Sequence, residues 1–282
     1  MTFPPDALPP RPSLAGCVLG VLRLTAGLAL IAGGTAVVLA CALVPSRPGR
    51  VSPAERVAQS LSAALLAVAG VRVAAEGRGR LAAHRGFVFF NHLSYLDPLV
   101  LATVAPMRFL ATAGVRKLPF VGWIATALGT LYVRRGEGAS RTRAREALRH
   151  EVRSSPVPIA LAPEGRIGPG PHVQPLRHGA FEVAADADAP ILLAGLRFEP
   201  PGYAAWLDGE WLLRAWWRLC ARTEPVTARL RVLGGVAVST RSDAPSAARY
   251  AESVFNGDPA PAAPPPWNAP TSQGLARMGH PS

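Results

Sequence analysis

His92 and Asp97 stand five residues apart in Asn91-His92-Leu93-Ser94-Tyr95-Leu96-Asp97-Pro98, directly after the apolar run Phe87-Val88-Phe89-Phe90. An imidazole takes a proton near neutral pH, and a neighbouring carboxylate fixes its tautomer and stabilises the imidazolium that forms. Side by side, the two make an acid/base device; a purely structural His–Asp contact is the alternative. Positions five apart lie ~140° round a regular helix, so the chain must turn before a helix begins if the two are to meet. Asp97-Pro98 supplies that start: Asp is a favourable N-cap, Pro fits the first helical position, and the residue before Pro avoids the α region. Capping and orienting His92 compete for the Asp97 oxygens. Ser94 would be the nucleophile of a serine hydrolase, but no Gly-x-Ser-x-Gly elbow surrounds it. His172 and His178 sit in a Pro/Gly-rich loop and read as solvated.

Four further stretches follow at definite intervals. Gly129-Thr130-Leu131-Tyr132-Val133-Arg134-Arg135 reads as a short strand ending in two guanidinium groups. Pro163-Glu164-Gly165-Arg166 follows the apolar run 157–162, and Leu176-Arg177-His178-Gly179-Ala180-Phe181 precedes Ala189-Pro190-Ile191-Leu192-Leu193. In order and interval these stretches resemble the four sequence blocks of the lysophospholipid acyltransferases, the family that includes 1-acyl-sn-glycerol-3-phosphate acyltransferase. The likeness covers roughly residues 55–240, and the first block follows the family's Asn-His-x-Ser-x-x-Asp pattern.

The resemblance implies a glycerolipid acyltransferase-like α/β fold and a site. His92 would be the general base for the acceptor hydroxyl and Asp97 its orienting partner. Arg135, Glu164, Gly165 and Arg166 would bind the acceptor, and Pro190 would serve acyl-donor binding or packing near the site. The implied reaction moves a fatty acyl group from a thioester, acyl-coenzyme A or acyl carrier protein, to the free hydroxyl of lysophosphatidic acid, giving phosphatidic acid. It needs no metal or organic cofactor. This chain departs from the family at three places: Thr112 and Gly114 stand where a lysine and a glutamate are usual, and Ile167 where an arginine is usual. Its single lysine, Lys117, falls five positions later than the lysine it would replace. Those departures keep two alternatives open: another lysolipid acceptor such as a lyso-ornithine lipid, or a catalytically silent lipid-binding protein.

The parts that must position these groups read as follows. Residues 1–12 are Pro-rich and expected to be mobile, and residues 13–46 are a membrane segment. Residues 53–240 form the catalytic domain, and a Pro/Ala-rich tail over 258–282 is expected to be disordered. Between Leu24 and Val44 there is no charge. As a helix that run is ~31 Å long and matches a hydrocarbon core, although Gly33-Gly34 could instead break it into a hairpin. Arg47, Arg50 and Arg56 follow it, placing the domain on the cytoplasmic side of the cytoplasmic membrane; Arg23 near its start would snorkel. The 282 residues are 49% hydrophobic with mean hydropathy +0.21, high for a soluble domain. A net charge of +12 and pI near 11.1 suit anionic partners. Membrane lipids, a lysolipid acceptor, coenzyme A phosphates or an acidic carrier protein fit. Nucleic acid does not, since no recognised binding motif is present. Cys17, Cys41 and Cys220 form no disulfide framework.

Helical periodicity predicts helices over 54–69 and 140–153, alternating with strands at 71–75 and 87–90, while 98–105 and 119–128 are apolar enough for buried helices or a substrate-tunnel wall. That alternation predicts a central mixed sheet flanked by helices. Arg141, Arg145, Arg149 and Arg153 make a basic row for lipid or carrier protein, or a solvated face. Trp206, Trp211, Trp216 and Trp217, interleaved with arginines, suggest an interfacial helix or core packing. The alternation from Val226 to Val232 reads as an edge strand.

Overall fold

Short runs of β-branched, aromatic and leucine residues form seven strands of one sheet. They are β1 (Val71–Glu76), β2 (Phe87–Phe90), β3 (Arg108–Thr112), β4 (Leu131–Val133), β5 (Ile159–Leu161), β6 (Ile191–Glu199) and β7 (Val226–Val236). The computed structural model describes residues 9–45, 47, 49–134, 136–168, 170, 172–207 and 209–258. The strand order is β1-β7-β6-β2-β5-β3-β4, and every neighbouring pair is parallel except β6–β7. Parallel neighbours need crossovers, so both faces carry helices and the central strands read as unbroken apolar runs.

β2 shows how two cores share one strand. Val88 and Phe90 pack on one side with Leu66 of α2 (Pro53–Val68), Val100 and Leu101 of α4 (Asp97–Val104) and Leu219 of α9 (Leu212–Cys220). Phe87 and Phe89 pack on the other with Leu148 of α6 (Gly138–Ser154) and Phe181 of α7 (His178–Ala187). The central strand is thus clamped from both faces, and its end is a rigid place from which to present a side chain.

Several expectations change. β7 lies between β1 and β6 and is no edge; its alternation reports one solvated sheet face, with Arg229 and Arg231 exposed, rather than an unpaired border. The packed unit also runs past residue 240. Helix α10 (Ala244–Asn256) buries Ala244, Ala247, Ala248 and Ala251 against the second core, an alanine stripe that hydropathy alone reads weakly. The basic row of α6 turns largely onto its own surroundings. Arg145 pairs with Glu182, Arg149 with Glu146, and Arg153 donates to the Asp186 and Ala187 carbonyls, while Arg141 stays exposed. Residues 1–8 and 259–282, which hold most of the two expected mobile termini, lie outside the described residues.

Helix α1 (Leu14–Ala42) runs unbroken through Gly33-Gly34, so the hairpin alternative does not hold. It lies along the domain. Gly16 and Gly20 sit against Ala221, Gly27 against Trp216 and Gly34 against Leu61, positions where a Cβ would crowd or touch the neighbour. Its other side leaves Leu14, Val18, Val21, Leu22, Leu28, Val37 and Leu39 exposed. Arg23 does not snorkel; its guanidinium donates to the Cys220 and Arg222 carbonyls at 3.2 and 2.8 Å. Arg222 in turn donates to the Ala69, Gly70 and Leu219 carbonyls. Burial pulls its pKa down to about 10. The two guanidinium groups tie α1 to the C-terminal ends of α2 and α9, where orphan carbonyls and the helix dipole favour cations. Of the tryptophans, Trp216 packs against the first core, whereas Trp211 is exposed. All three cysteines are free.

Candidate active site

β2 and β5 are paired in parallel with Phe89 opposite Leu161, so the segments that follow them emerge at the same level of the sheet. His92 leaves the end of β2 and Glu164 the end of β5. Ligands of open α/β sheets bind beyond the carboxyl ends of the strands, and this is such a place.

Asn91 sets the exit. Its amide Nδ2 donates to the Leu196 carbonyl at 2.9 Å and its Oδ1 accepts the Leu196 N–H at 2.6 Å, continuing the link from β2 to β6 beyond the regular ladder. The chain then turns before α4, as the His–Asp spacing requires. His92 Nδ1 lies 2.8 Å from Asp97 Oδ2. A carboxylate only accepts, so Nδ1 carries the proton and Nε2 is the basic nitrogen. The imidazole is 22% exposed and the carboxylate fully buried. Asp97 Oδ2 also accepts the Leu93 and Ser94 N–H groups at 2.8 and 2.9 Å. The anticipated competition resolves in that atom: Oδ2 holds the turn and the imidazole together. Asp97 is the first residue of α4 and Leu96 its N-cap, so the carboxylate braces the approach to the helix. Burial pushes the Asp97 carboxyl up; the His92 hydrogen bond and the two N–H groups pull the other way.

Ser94 is structural. Its hydroxyl is buried, donates to the Ala204 carbonyl at 2.6 Å and accepts the Leu96 N–H at 3.0 Å. Ser94→Ala should lower stability by about 1–3 kcal/mol, because the Leu96 N–H loses its acceptor. Turnover per folded molecule should stay within about twofold of wild type. Thermal unfolding and initial rates check this, and abolished turnover in a folded variant would restore the hydrolase reading.

Glu164 is also buried, and both its oxygens meet backbone. Oε1 accepts the His92 N–H at 2.7 Å and Oε2 the Gln174 N–H at 2.8 Å. Burial raises its pKa, opposed by those two N–H groups. Gly165 turns the chain at φ +73°, a conformation that favours glycine, and a Cβ there would stand 2.7 Å from Arg177 Nε. Arg166 is exposed and donates to Gln174 Oε1 at 3.2 Å. Arg177 is exposed too and brings a second cation to the same corner. Its place was not legible beforehand, although it stands in a quoted block. Arg135 lies outside the described residues; its neighbour Arg134 is exposed and pairs with Glu137 at 3.6 Å. His172 and His178 are exposed.

Pro190 is not part of this site. Its carbonyl accepts the Phe87 N–H at the start of β2, and a Cβ on Gly86 would stand 2.9 Å from its ring. The six steps from Gly86 to His92 span roughly 20 Å of extended chain, so Pro190 packs the opposite end of the sheet.

This geometry sits inside a region of known kind. Residues 72–195 match the family model described as Acyltransferase. That region, under half of the chain, is similar to the acyltransferase family. The matched region contains His92, Asp97, Glu164, Gly165 and Arg166. A lyso-ornithine lipid O-acyltransferase of Pseudomonas aeruginosa is 35% identical over 122 residues, which cover 42% of this chain and 43% of that protein. A 1-acyl-sn-glycerol-3-phosphate acyltransferase of Neisseria gonorrhoeae is 26% identical over 108 residues, 38% of this chain and 42% of that one. The aligned regions span less than half the length of these curated relatives. The crystal structure of the 1-acyl-sn-glycerophosphate acyltransferase of Thermotoga maritima has the same fold. It matches with TM-score 0.62 and 20% identity over 85% of this chain and 92% of that one.

Proposed function

We propose that this protein transfers a fatty acyl group from an acyl thioester to the free hydroxyl of a lysolipid. The observation that carries this reading is the 2.8 Å contact of His92 Nδ1 with buried Asp97 Oδ2 at the end of β2, inside the region similar to the acyltransferase family. His92 Nε2 takes the acceptor hydroxyl's proton as that oxygen attacks the thioester carbonyl. The tetrahedral intermediate collapses, the C–S bond breaks, and the departing thiolate takes the proton back from the imidazolium. Asp97 holds the tautomer and stabilises the transient cation. No enzyme nucleophile is needed, consistent with Ser94 being buried and bonded elsewhere. Aligning the two substrates contributes further, since effective molarities reach ~10^5 M or more.

Lysophosphatidic acid is the first acceptor, because Arg166 and Arg177 place two exposed guanidinium groups beside Gly165, and the planar fork suits phosphate. A lyso-ornithine lipid is the second. It is favoured by the 35% identity to the Pseudomonas aeruginosa protein and by uncharged Thr112, Gly114 and Ile167. The donor is acyl-coenzyme A or acyl carrier protein. The exposed apolar side of α1, with Trp211, Leu213 and Trp123 exposed elsewhere on the surface, supports attachment to the cytoplasmic membrane. If α1 spans the membrane, Arg47, Arg50 and Arg56 after it favour a domain on the cytoplasmic side.

The test is direct. Full-length protein in lipid vesicles is given each labelled donor and either lysophosphatidic acid or lyso-ornithine lipid, and the product is identified. Labelled phosphatidic acid supports the first acceptor and acylated ornithine lipid the second; no transfer to either overturns the reading. Arg177→Ala should raise KM for lysophosphatidic acid by ~10-fold or more with kcat little changed, since a hydrogen bond to a charged group contributes about 1.5–3 kcal/mol. An unchanged KM would remove Arg177 from the acceptor site.

A further inference from the structure

The segment after β5 closes over the His92 turn as a strap, and one buried carboxylate ties it down. Glu164 bridges the N–H groups of His92 and Gln174, from two parts of the chain. The loop is pinned a second time where the Gly168 N–H donates to the His92 carbonyl at 2.7 Å. It returns to its origin where the Arg177 N–H donates to the Pro163 carbonyl at 2.9 Å. His92 is therefore held at its own N–H and its own C=O by residues of the strap, while Asp97 holds its ring.

We propose that Glu164 is a positioning residue: it fixes the backbone of His92, and so the direction of the imidazole, rather than binding the acceptor. The proposal rests on His92 being the base. Three observations support it. Glu164 is 3% exposed, so its carboxylate is withdrawn from the surface that an acceptor would meet. Each of its oxygens already accepts a backbone N–H. A carboxylate is also the wrong sign for a phosphate, which Arg166 and Arg177 beside it suit. Packing is close as well: a Cβ on Gly168 would lie 3.1 Å from Glu164 Oε2, so the strap leaves the carboxylate little room to swing. Small displacements of a base from its line of attack cost rate without weakening binding.

The experiment uses full-length protein in vesicles and the variant Glu164→Gln. This side chain has the same shape, but its amide nitrogen must face one of the two N–H donors, so one clamp opens. The expected signature is a kcat ~10–100-fold lower with acceptor KM within about twofold, the pattern of an interaction felt in the transition state. Hydrogen exchange at the His92 or Gln174 amide should quicken ~10-fold or more. Gly168→Ala presses on the same carboxylate without altering it. It should show the same pattern in smaller measure, several-fold in kcat with KM unchanged, and serves if Glu164→Gln does not fold. A raised acceptor KM with wild-type kcat in Glu164→Gln overturns the proposal, as does wild-type amide exchange in both variants. If wild-type protein transfers no acyl group, the reaction assigned above fails, and the exchange measurement still decides whether Glu164 holds His92.

Discussion

His92→Ala should lower turnover by ~10^2 to 10^4-fold, the range that a positioned general base contributes, and leave the fold standing. The rate should fall because no other base among the described residues is positioned to replace it. Glu164 has both oxygens on backbone N–H groups, and His172 and His178 are exposed outside the first block. The fold survives because the backbone of residue 92 is held from outside its side chain, through Glu164 and the Gly168 N–H, and neither contact needs the ring. Asp97 loses its imidazole but keeps the Leu93 and Ser94 N–H groups. Its carboxyl, already pushed up by burial, then meets that burial with less opposition and moves further toward the neutral acid. Initial rates at saturating donor and acceptor, with circular dichroism and thermal unfolding on the same preparations, check both halves. Near-normal turnover in the variant would end the role of His92 as base.

Much of this site could be read from the sequence, and the reason is local. His92 and Asp97 are close along the chain, and an apolar run, a turn and an Asp-Pro helix start are features that a short window contains. The sheet was legible for a related reason: β2 and β5 are buried on both faces and so appear as unbroken apolar runs. What escaped depends on contacts between distant parts of the chain that use backbone atoms. Glu164 reaches the His92 N–H, and Arg23 the Cys220 and Arg222 carbonyls; any residue at the receiving end would offer the same atoms, so no residue type marks the partner. Gln174 is found the same way, through its own N–H. Pro190 misled for the opposite reason. Its position in a block of the resemblance suggested the site, but a strand has two ends, and Pro190 stands at the wrong one. The α10 stripe was missed because alanines pack closely while adding little to hydropathy.

Asp97→Asn should cut kcat by ~10^2 to 10^3-fold with a smaller loss of stability than Asp97→Ala, and this separates the two duties of that side chain. Three donors converge on Oδ2: the imidazole Nδ1–H and the N–H groups of Leu93 and Ser94. Oδ1 is buried and accepts from no described residue. An asparagine placed with its carbonyl oxygen at the Oδ2 position keeps all three bonds and puts its amide nitrogen where Oδ1 stood. The reverse placement would set an N–H₂ against three donors, so the first is strongly preferred. The turn and the His92 tautomer are then retained, and only the negative charge is gone. A buried charge next to the imidazole acts where water cannot replace it, so its removal falls on the step that forms imidazolium. Asp97→Ala removes the acceptor as well and strands two buried N–H groups at about 1–3 kcal/mol each, so it should lower both the melting temperature and the rate. Comparing kcat and thermal unfolding for the two variants reads charge and architecture apart. An Asn variant as fast as wild type would mean that the carboxylate shapes the turn and takes no part in proton transfer.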